Sequence, residues 1–341
     1  MNKTKKFMCC NHIFSSICLH PEGLKFCNEV SNSISAIPYN GLSSLEDNEN
    51  KRQVIINDFK EGKIPSKCQS CSLLYNDDWE SKYNDLEIHK LTIFNWLHCN
   101  SKCFYCSVTS QYDDKVKKSE YYDALPIVEK LIEEKRITSN TQVDFQGGEP
   151  TMLEEFPTIL NLLLSVECKL QVLTNGIVYE PLITRMLDKS SENSICISLD
   201  SGSRSTFKKI KAIDKFEQVV DNLKKYIDNT RKTNGNIRVK YILFNNVNDN
   251  KKEIDAFFNV CKRINVKKIS RTFDYRNFSK ISNNIRLIVA YDYFEKKCKK
   301  YNIEVYHEYW ADEHIYQLKE RLLKKGKILY FYELFKFHFI K

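Results

Sequence analysis

From residue 91 onward, short runs of alternating or continuous apolar residues take turns with longer stretches whose apolar positions fall three and four apart. A period of two marks a strand and a period near 3.6 marks a helix. Strands are therefore predicted at 91–96, 141–146, 170–175, 194–200, 237–244 and 266–273, with a seventh at 303–308. Helices are predicted between them, at 119–134, 152–165, 180–188, 205–229, 250–264 and 284–301. In the fourth of these, Phe216, Val219, Val220, Leu223 and Tyr226 share one face, the pattern of a helix packed on a sheet. Strand and helix alternating six times imply right-handed parallel crossovers and an α/β fold, either an open doubly wound sheet or a partial barrel. In both, chemistry belongs at the C-terminal ends of the strands.

The first 80 or so residues read differently. Residues 28–35 and 45–50 are polar and turn-like, and six of the 13 Cys fall in this part of the chain. A length of 341 residues fits about two domains of roughly 150 residues, or one large barrel with an appendage. Hydrophobic content of 42% fills a sizeable core and excludes wholesale disorder, while only 9 Gly and 7 Pro exclude long flexible linkers. No run approaches the roughly 20 apolar residues of a membrane span, and no signal-peptide pattern follows the basic N-terminus, so a cytoplasmic location is expected. In that compartment thiols stay reduced, and clustered Cys point to metal rather than to disulfides. The net charge of +9 is spread along lysine-rich helices. It reads as a solvated surface, and with no aromatic-basic RNA-recognition pattern, nucleic acid is not an expected partner.

Candidate chemistry concentrates at the end of the first predicted strand. Cys99-Asn100-Ser101-Lys102-Cys103-Phe104-Tyr105-Cys106 puts three thiols within eight residues. Structural zinc sites ordinarily use four ligands, whereas three leave one iron of a four-iron cluster open to a ligand. Gly147-Gly148-Glu149-Pro150 ends the second strand, 41 residues after Cys106. Glycines let the backbone approach a ligand closely, and Glu149 adds a negative charge suited to an ammonium. Thr174-Asn175-Gly176 closes the third strand and Ser198-Leu199-Asp200-Ser201 the fourth, where Ser198 and Asp200 face one side. Lys240 lies on the fifth.

These motifs, over about residues 91–273, resemble the radical S-adenosylmethionine (radical SAM) superfamily: the three-Cys spacing, an aromatic (Tyr105) before the last Cys, Asn100 after the first, and the Gly-Gly-Glu-Pro run. The resemblance implies a partial (β/α)6 TIM-type barrel. It also implies a 4Fe-4S cluster on Cys99, Cys103 and Cys106, and S-adenosylmethionine held near Tyr105, Gly147, Gly148, Glu149, Pro150, Asn175, Ser198, Asp200 and Lys240. An external electron donor of flavodoxin or ferredoxin type would reduce the cluster. S-adenosylmethionine would then be cleaved to a 5′-deoxyadenosyl radical that abstracts a substrate hydrogen.

Upstream, Cys68-Gln69-Ser70-Cys71 is a close pair, and Cys10 and Cys27 flank a turn at Pro21-Glu22-Gly23. Together they resemble the auxiliary-cluster module of SPASM and Twitch radical enzymes, here ahead of the barrel rather than behind it and with Gly23 one residue closer to Cys27 than usual. The resemblance implies a second iron–sulfur cluster on Cys10, Cys27, Cys68 and Cys71. A zinc site is the alternative, and Cys9 or Cys18 could replace Cys10. The expected organisation is a small N-terminal Cys-rich metal-binding module over 1–85, a barrel core over 86–275 and a C-terminal α/β extension over 276–341. Auxiliary-cluster relatives commonly modify peptides or proteins, which makes a peptide the expected substrate. A carbohydrate or aminocyclitol dehydrogenase or epimerase stays open, as does a non-catalytic metal-cluster-binding protein.

Overall fold

The computed structural model describes residues 6–27, 34–69, 71, 73–77, 87–106, 121–230, 236–274, 285–307, 316–317, 319–320, 323–324 and 327–339. Of the expected elements, 28–33, 119–120, 284 and 308 lie outside them. The chain divides into two compact units, Met1–Cys99 with Tyr112–Val172, and Asn100–Gln111 with Leu173–Lys341.

In the first unit the elements are β1 (Phe7–Cys9), α1 (Asn11–Ser15), β2 (Ser16–His20), β3 (Gly23–Lys25), α2 (Ser43–Lys60), α3 (Ser66–Gln69), β4 (Tyr75–Asp77), β5 (Lys90–Ile93), α4 (Leu125–Glu133), β6 (Gln142–Phe145) and α5 (Phe156–Ser165). They lead into β7 (Lys169–Thr174), which crosses the boundary. β1 and β4 form an antiparallel ribbon. The main strands run β3-β2-β5-β6-β7, antiparallel only between β2 and β3. β2 thus lies beside the first predicted strand and parallel to it, Ser16 opposite Lys90 and Leu19 opposite Ile93. All five residues of β2 are buried, so it shows none of the polar alternation that marks a half-exposed strand.

The stretch 45–50, expected to be turn-like, lies inside α2. The buried face of α2 carries Ser44, Leu45, Asn48, Arg52, Ile55, Ile56 and Phe59 at three-to-four spacing. Three of those seven are polar, which hides the periodicity. Arg52 bonds internally: its guanidinium donates to the Ser16 carbonyl at 3.0 Å and to Asn48 Oδ1 at 3.1 Å, and lies 4.9 Å from the Phe26 ring centre.

The second unit continues with α6 (Pro181–Lys189), β8 (Ser194–Ser198), α7 (Arg204–Lys211), α8 (Phe216–Asn229), β9 (Asn236–Leu243), α9 (Lys251–Arg263), β10 (Lys268–Phe273), α10 (Ile285–Tyr301), β11 (Glu304–His307) and α11 (Lys327–Phe339). Its strands run β8-β9-β10-β11, with all described pairs parallel. The predicted helix 205–229 is two helices, because Ala212 at φ +54° ends α7 in the left-handed region, a standard C-terminal stop. Phe216, Val219, Val220, Leu223 and Tyr226 of α8 are buried, as their shared face predicts. Asn250 caps α9 by accepting from the Glu253 amide at 3.0 Å, which supplies a partner for one orphan N–H. The Glu253 carboxylate in turn accepts from the amides of Gly202 (2.6 Å) and Ser203 (3.0 Å), fixing the turn after β8. Among the described residues no helix is long and apolar enough to cross a membrane.

Candidate functional site

The segment from Phe94 to Cys99 carries no regular structure, yet it is held at three points within the first unit. The Phe94 amide donates to the Leu19 carbonyl of β2 at 2.8 Å. The Gly148 amide donates to the Trp96 carbonyl at 2.6 Å, and the Glu149 amide to the His98 carbonyl at 2.8 Å. Gly147 and Gly148 make these close contacts sterically feasible. A Cβ on Gly147, at φ +109°, would lie 2.2 Å from the Phe94 ring, and one on Gly148 would lie 2.3 Å from the His98 carbonyl oxygen. The room left by both glycines is taken by the chain that leads into Cys99, a partner the sequence did not identify. Glu149 is buried, and its carboxylate accepts from the Thr151 hydroxyl at 2.7 Å and amide at 3.3 Å, capping the short turn Pro150–Met152.

Cys103 and Cys106 belong to the second unit, on a turn closed by the Cys106 amide donating to the Cys103 carbonyl at 3.0 Å. All three cysteines of the motif are half-buried. The turn is tied to the end of α7, with the Lys102 amide on the Lys211 carbonyl at 3.0 Å and the Phe104 amide on the Ile210 carbonyl at 3.1 Å. Both Phe104 and Tyr105 pack on Phe244, each with ring centres 4.9 Å away. Asn100 accepts from Asn175 Nδ2 at 2.6 Å, while Asn175 Oδ1 accepts from the Ile177 amide at 2.9 Å. Asn175 thus joins the start of the cysteine loop to the end of β7.

Asp200 is fully buried with φ +58°. Its Oδ2 accepts from the Tyr105 hydroxyl at 2.8 Å and from Lys211 Nζ at 2.5 Å, and its Oδ1 from the Ile242 amide at 2.9 Å. Burial first, and then the adjacent Asp200 carboxylate, push the Tyr105 phenol well above its ordinary range, so it stays a protonated donor. Ser198 ends β8 opposite Lys240 of β9, both half-buried, and the Lys240 carbonyl accepts from the Asp200 amide at 3.0 Å. Lys211 and Asn248, whose side chain donates to the Asp200 and Ile242 carbonyls at 2.8 Å each, were not found by sequence reasoning. Lys211 stands in a lysine-rich helix end that looks solvated, and no local signal sets it apart.

A second site lies wholly within the first unit. Cys10, Cys27, Cys68 and Cys71 line one pocket together with Ile13 and Phe26. Burial, with Cys71 and Cys68 nearby pushing the same way, raises the Cys10 thiol above its ordinary value. Of the alternative ligands, Cys9 turns its thiol to the Asp77 carbonyl at 3.3 Å, and burial pushes the Cys18 thiol up to about 12; neither lines the pocket. Gly23, at φ +120°, sits against the Ile37 carbonyl, 1.9 Å from where a Cβ would stand, so a chain contact demands it. Among the described residues no three His, Cys, Asp or Glu side chains stand close enough to grip a metal ion as they are. The donor chemistry nonetheless suits soft metals: half-buried thiols on a short loop, and four thiols around one pocket, match iron–sulfur or zinc ligation.

The sequence profile of the radical SAM superfamily matches residues 97–258. GTP 3′,8-cyclase of Mannheimia succiniciproducens is 30% identical over 166 residues, 48% of this chain and 47% of that enzyme. The chain thus spans about half the length of that relative. Streptococcus suis SuiB bound to S-adenosylmethionine is similar in structure, with a TM-score of 0.50 at 15% identity over 80% of this chain and 57% of SuiB. SuiB bound to its precursor peptide SuiA gives a TM-score of 0.50 at 13% identity, over 94% of this chain and 74% of SuiB. At that identity the likeness is one of fold: α/β, mostly parallel, consistent with a partial TIM-type barrel.

Proposed function

We propose that this chain, whose residues 97–258 match the radical SAM superfamily, is a radical enzyme that modifies a peptide or protein. In this reading Cys99, Cys103 and Cys106 hold a 4Fe-4S cluster. When bound, that cluster supplies one electron to S-adenosylmethionine, yielding methionine and a 5′-deoxyadenosyl radical that takes a substrate hydrogen. The electron comes from an external donor of flavodoxin or ferredoxin type.

The chain's own part is placement. Gly148 and Glu149 hold the run into Cys99, and Asn175 holds Asn100, so the entry to the loop bearing the ligands is fastened by the chain itself. Glu149, Pro150, Asn175 and Ser198 stand at or just beyond strand ends, where the α/β architecture places its ligands, and we assign them, with Lys240 opposite Ser198, to S-adenosylmethionine. Tyr105, half-buried, packs on the buried Phe244 beneath the cysteine turn.

The pocket lined by Cys10, Cys27, Cys68 and Cys71 carries the peptide reading. Four thiols close a second cluster, and the resemblance to auxiliary-cluster enzymes supplies the substrate class. Anaerobic reconstitution followed by product mass spectrometry with candidate peptides tests this. A mass change on a peptide that depends on S-adenosylmethionine is expected. Turnover of a carbohydrate or aminocyclitol instead, or a single bound zinc in place of the second cluster, would overturn it.

A further inference from the structure

We propose that Asp200 and Lys211, acting through Tyr105, are positioning residues that set the turn bearing Cys103 and Cys106 before a cluster arrives. The inference rests on the radical SAM reading of that turn, although the structural tie can be tested without it. Asp200 and Lys211 are 0% and 1% exposed, and their charged groups lie 2.5 Å apart. Its backbone, at φ +58°, is pinned by the Asp200 amide on the Lys240 carbonyl and by Asn248 Nδ2 on the Asp200 carbonyl. Its two oxygens accept from the Ile242 amide, the Tyr105 hydroxyl and the Lys211 ammonium, which ties the carboxylate to three elements of the same unit.

Lys211 grips the turn twice. Its carbonyl accepts from the Lys102 amide at 3.0 Å, and its ammonium donates to the Tyr105 hydroxyl at 2.9 Å, on the two sides of Cys103. The Tyr105 hydroxyl donates onward to Asp200, so one phenol oxygen links the residue between Cys103 and Cys106 to a buried ion pair. An ion pair so thoroughly buried is costly to break but seldom the cheapest way to stabilise a fold. Its geometry here gives it a second use. A metal-binding loop already held in shape loses less conformational freedom on loading.

Tyr105→Phe removes one oxygen and leaves the ion pair and the ring packing in place. In the apoprotein, amide exchange at Lys102, Phe104 and Cys106 should rise about tenfold, while Ile197, Val239 and Phe257 of the same unit keep their wild-type rates. In the reconstituted protein the paramagnetic signal of the reduced cluster should change shape. Asp200→Asn combined with Lys211→Met removes both charges together, and should loosen the same three amides while keeping most of the unfolding midpoint that Asp200→Asn alone loses. Exchange within twofold of wild type, exchange raised throughout the unit, or an unaltered signal with loosened amides would each overturn the proposal. Wild type that takes up no iron would instead defeat the radical SAM reading, and apoprotein exchange would still decide whether the tie exists.

Discussion

Replacing Gly148 by Ala tests whether the Gly-Gly-Glu-Pro run is built around its own chain. The added Cβ would lie 2.3 Å from the His98 carbonyl oxygen, 2.7 Å from the Leu97 carbonyl carbon and 2.9 Å from the His98 amide nitrogen. All three atoms are backbone, so no side chain can rotate out of the way. Overpacking of this kind costs about 1–3 kcal/mol. The shift it forces also strains the hydrogen bonds of Gly148 to Trp96 and Glu149 to His98, each worth about 1 kcal/mol. The expected local cost is therefore about 3 kcal/mol, read as faster native-state exchange of the amides of 148 and 149. Gly62→Ala is the comparison: it meets nothing within 4 Å but sits at φ +79°, so its cost is that of backbone conformation alone, about 1 kcal/mol. Gly148→Ala should also lower iron uptake, because the displaced residues lead directly into Cys99. A change below about 0.5 kcal/mol at Gly148 would refute the steric reasoning.

Burial first, and then Lys25, hold His20 down at about 4 against an ordinary value of 6.5, so the unfolded chain binds the extra proton between those values. Stability is therefore present above pH 6.5 and is lost as pH falls toward 4; His20→Gln should flatten that part of a urea-midpoint profile, and an unchanged slope would contradict the assignment. Fully reconstituted protein should hold about eight iron per chain, as two four-iron clusters require. Cys68→Ala with Cys71→Ala should leave about half, and a wild-type count near four with one zinc would remove the second cluster from the account.

Much of the fold was legible because period-two and period-3.6 patterns survive wherever one face of an element is buried and the other is wet. β2 escaped because it is buried on both faces, and α2 because Ser44, Asn48 and Arg52 interrupt its inner stripe. The C-terminal aromatic run forms α11, with Tyr330 buried against Asp292 but Phe331, Tyr332 and Phe335 exposed, a distribution its composition alone does not dictate. Within the site, spacing exposed the thiols because ligands must converge from a short loop. It could not expose Lys211 or Asn248: Lys211 meets Tyr105, 106 residues away, from an ordinary lysine-rich helix end, and Asn248 meets Asp200, 48 residues away. It assigned Gly147 and Gly148 to close approach to a ligand; the contacts of both with the chain at 94–98 come from the tertiary fold.

In the proposed reading, Cys99, Cys103 and Cys106 hold a cluster that cleaves S-adenosylmethionine. The direct measurement is 5′-deoxyadenosine formed by anaerobically reconstituted protein with dithionite and S-adenosylmethionine. Wild type should produce it and Cys103→Ala should not; no product from wild type, or equal product from both, would contradict the account.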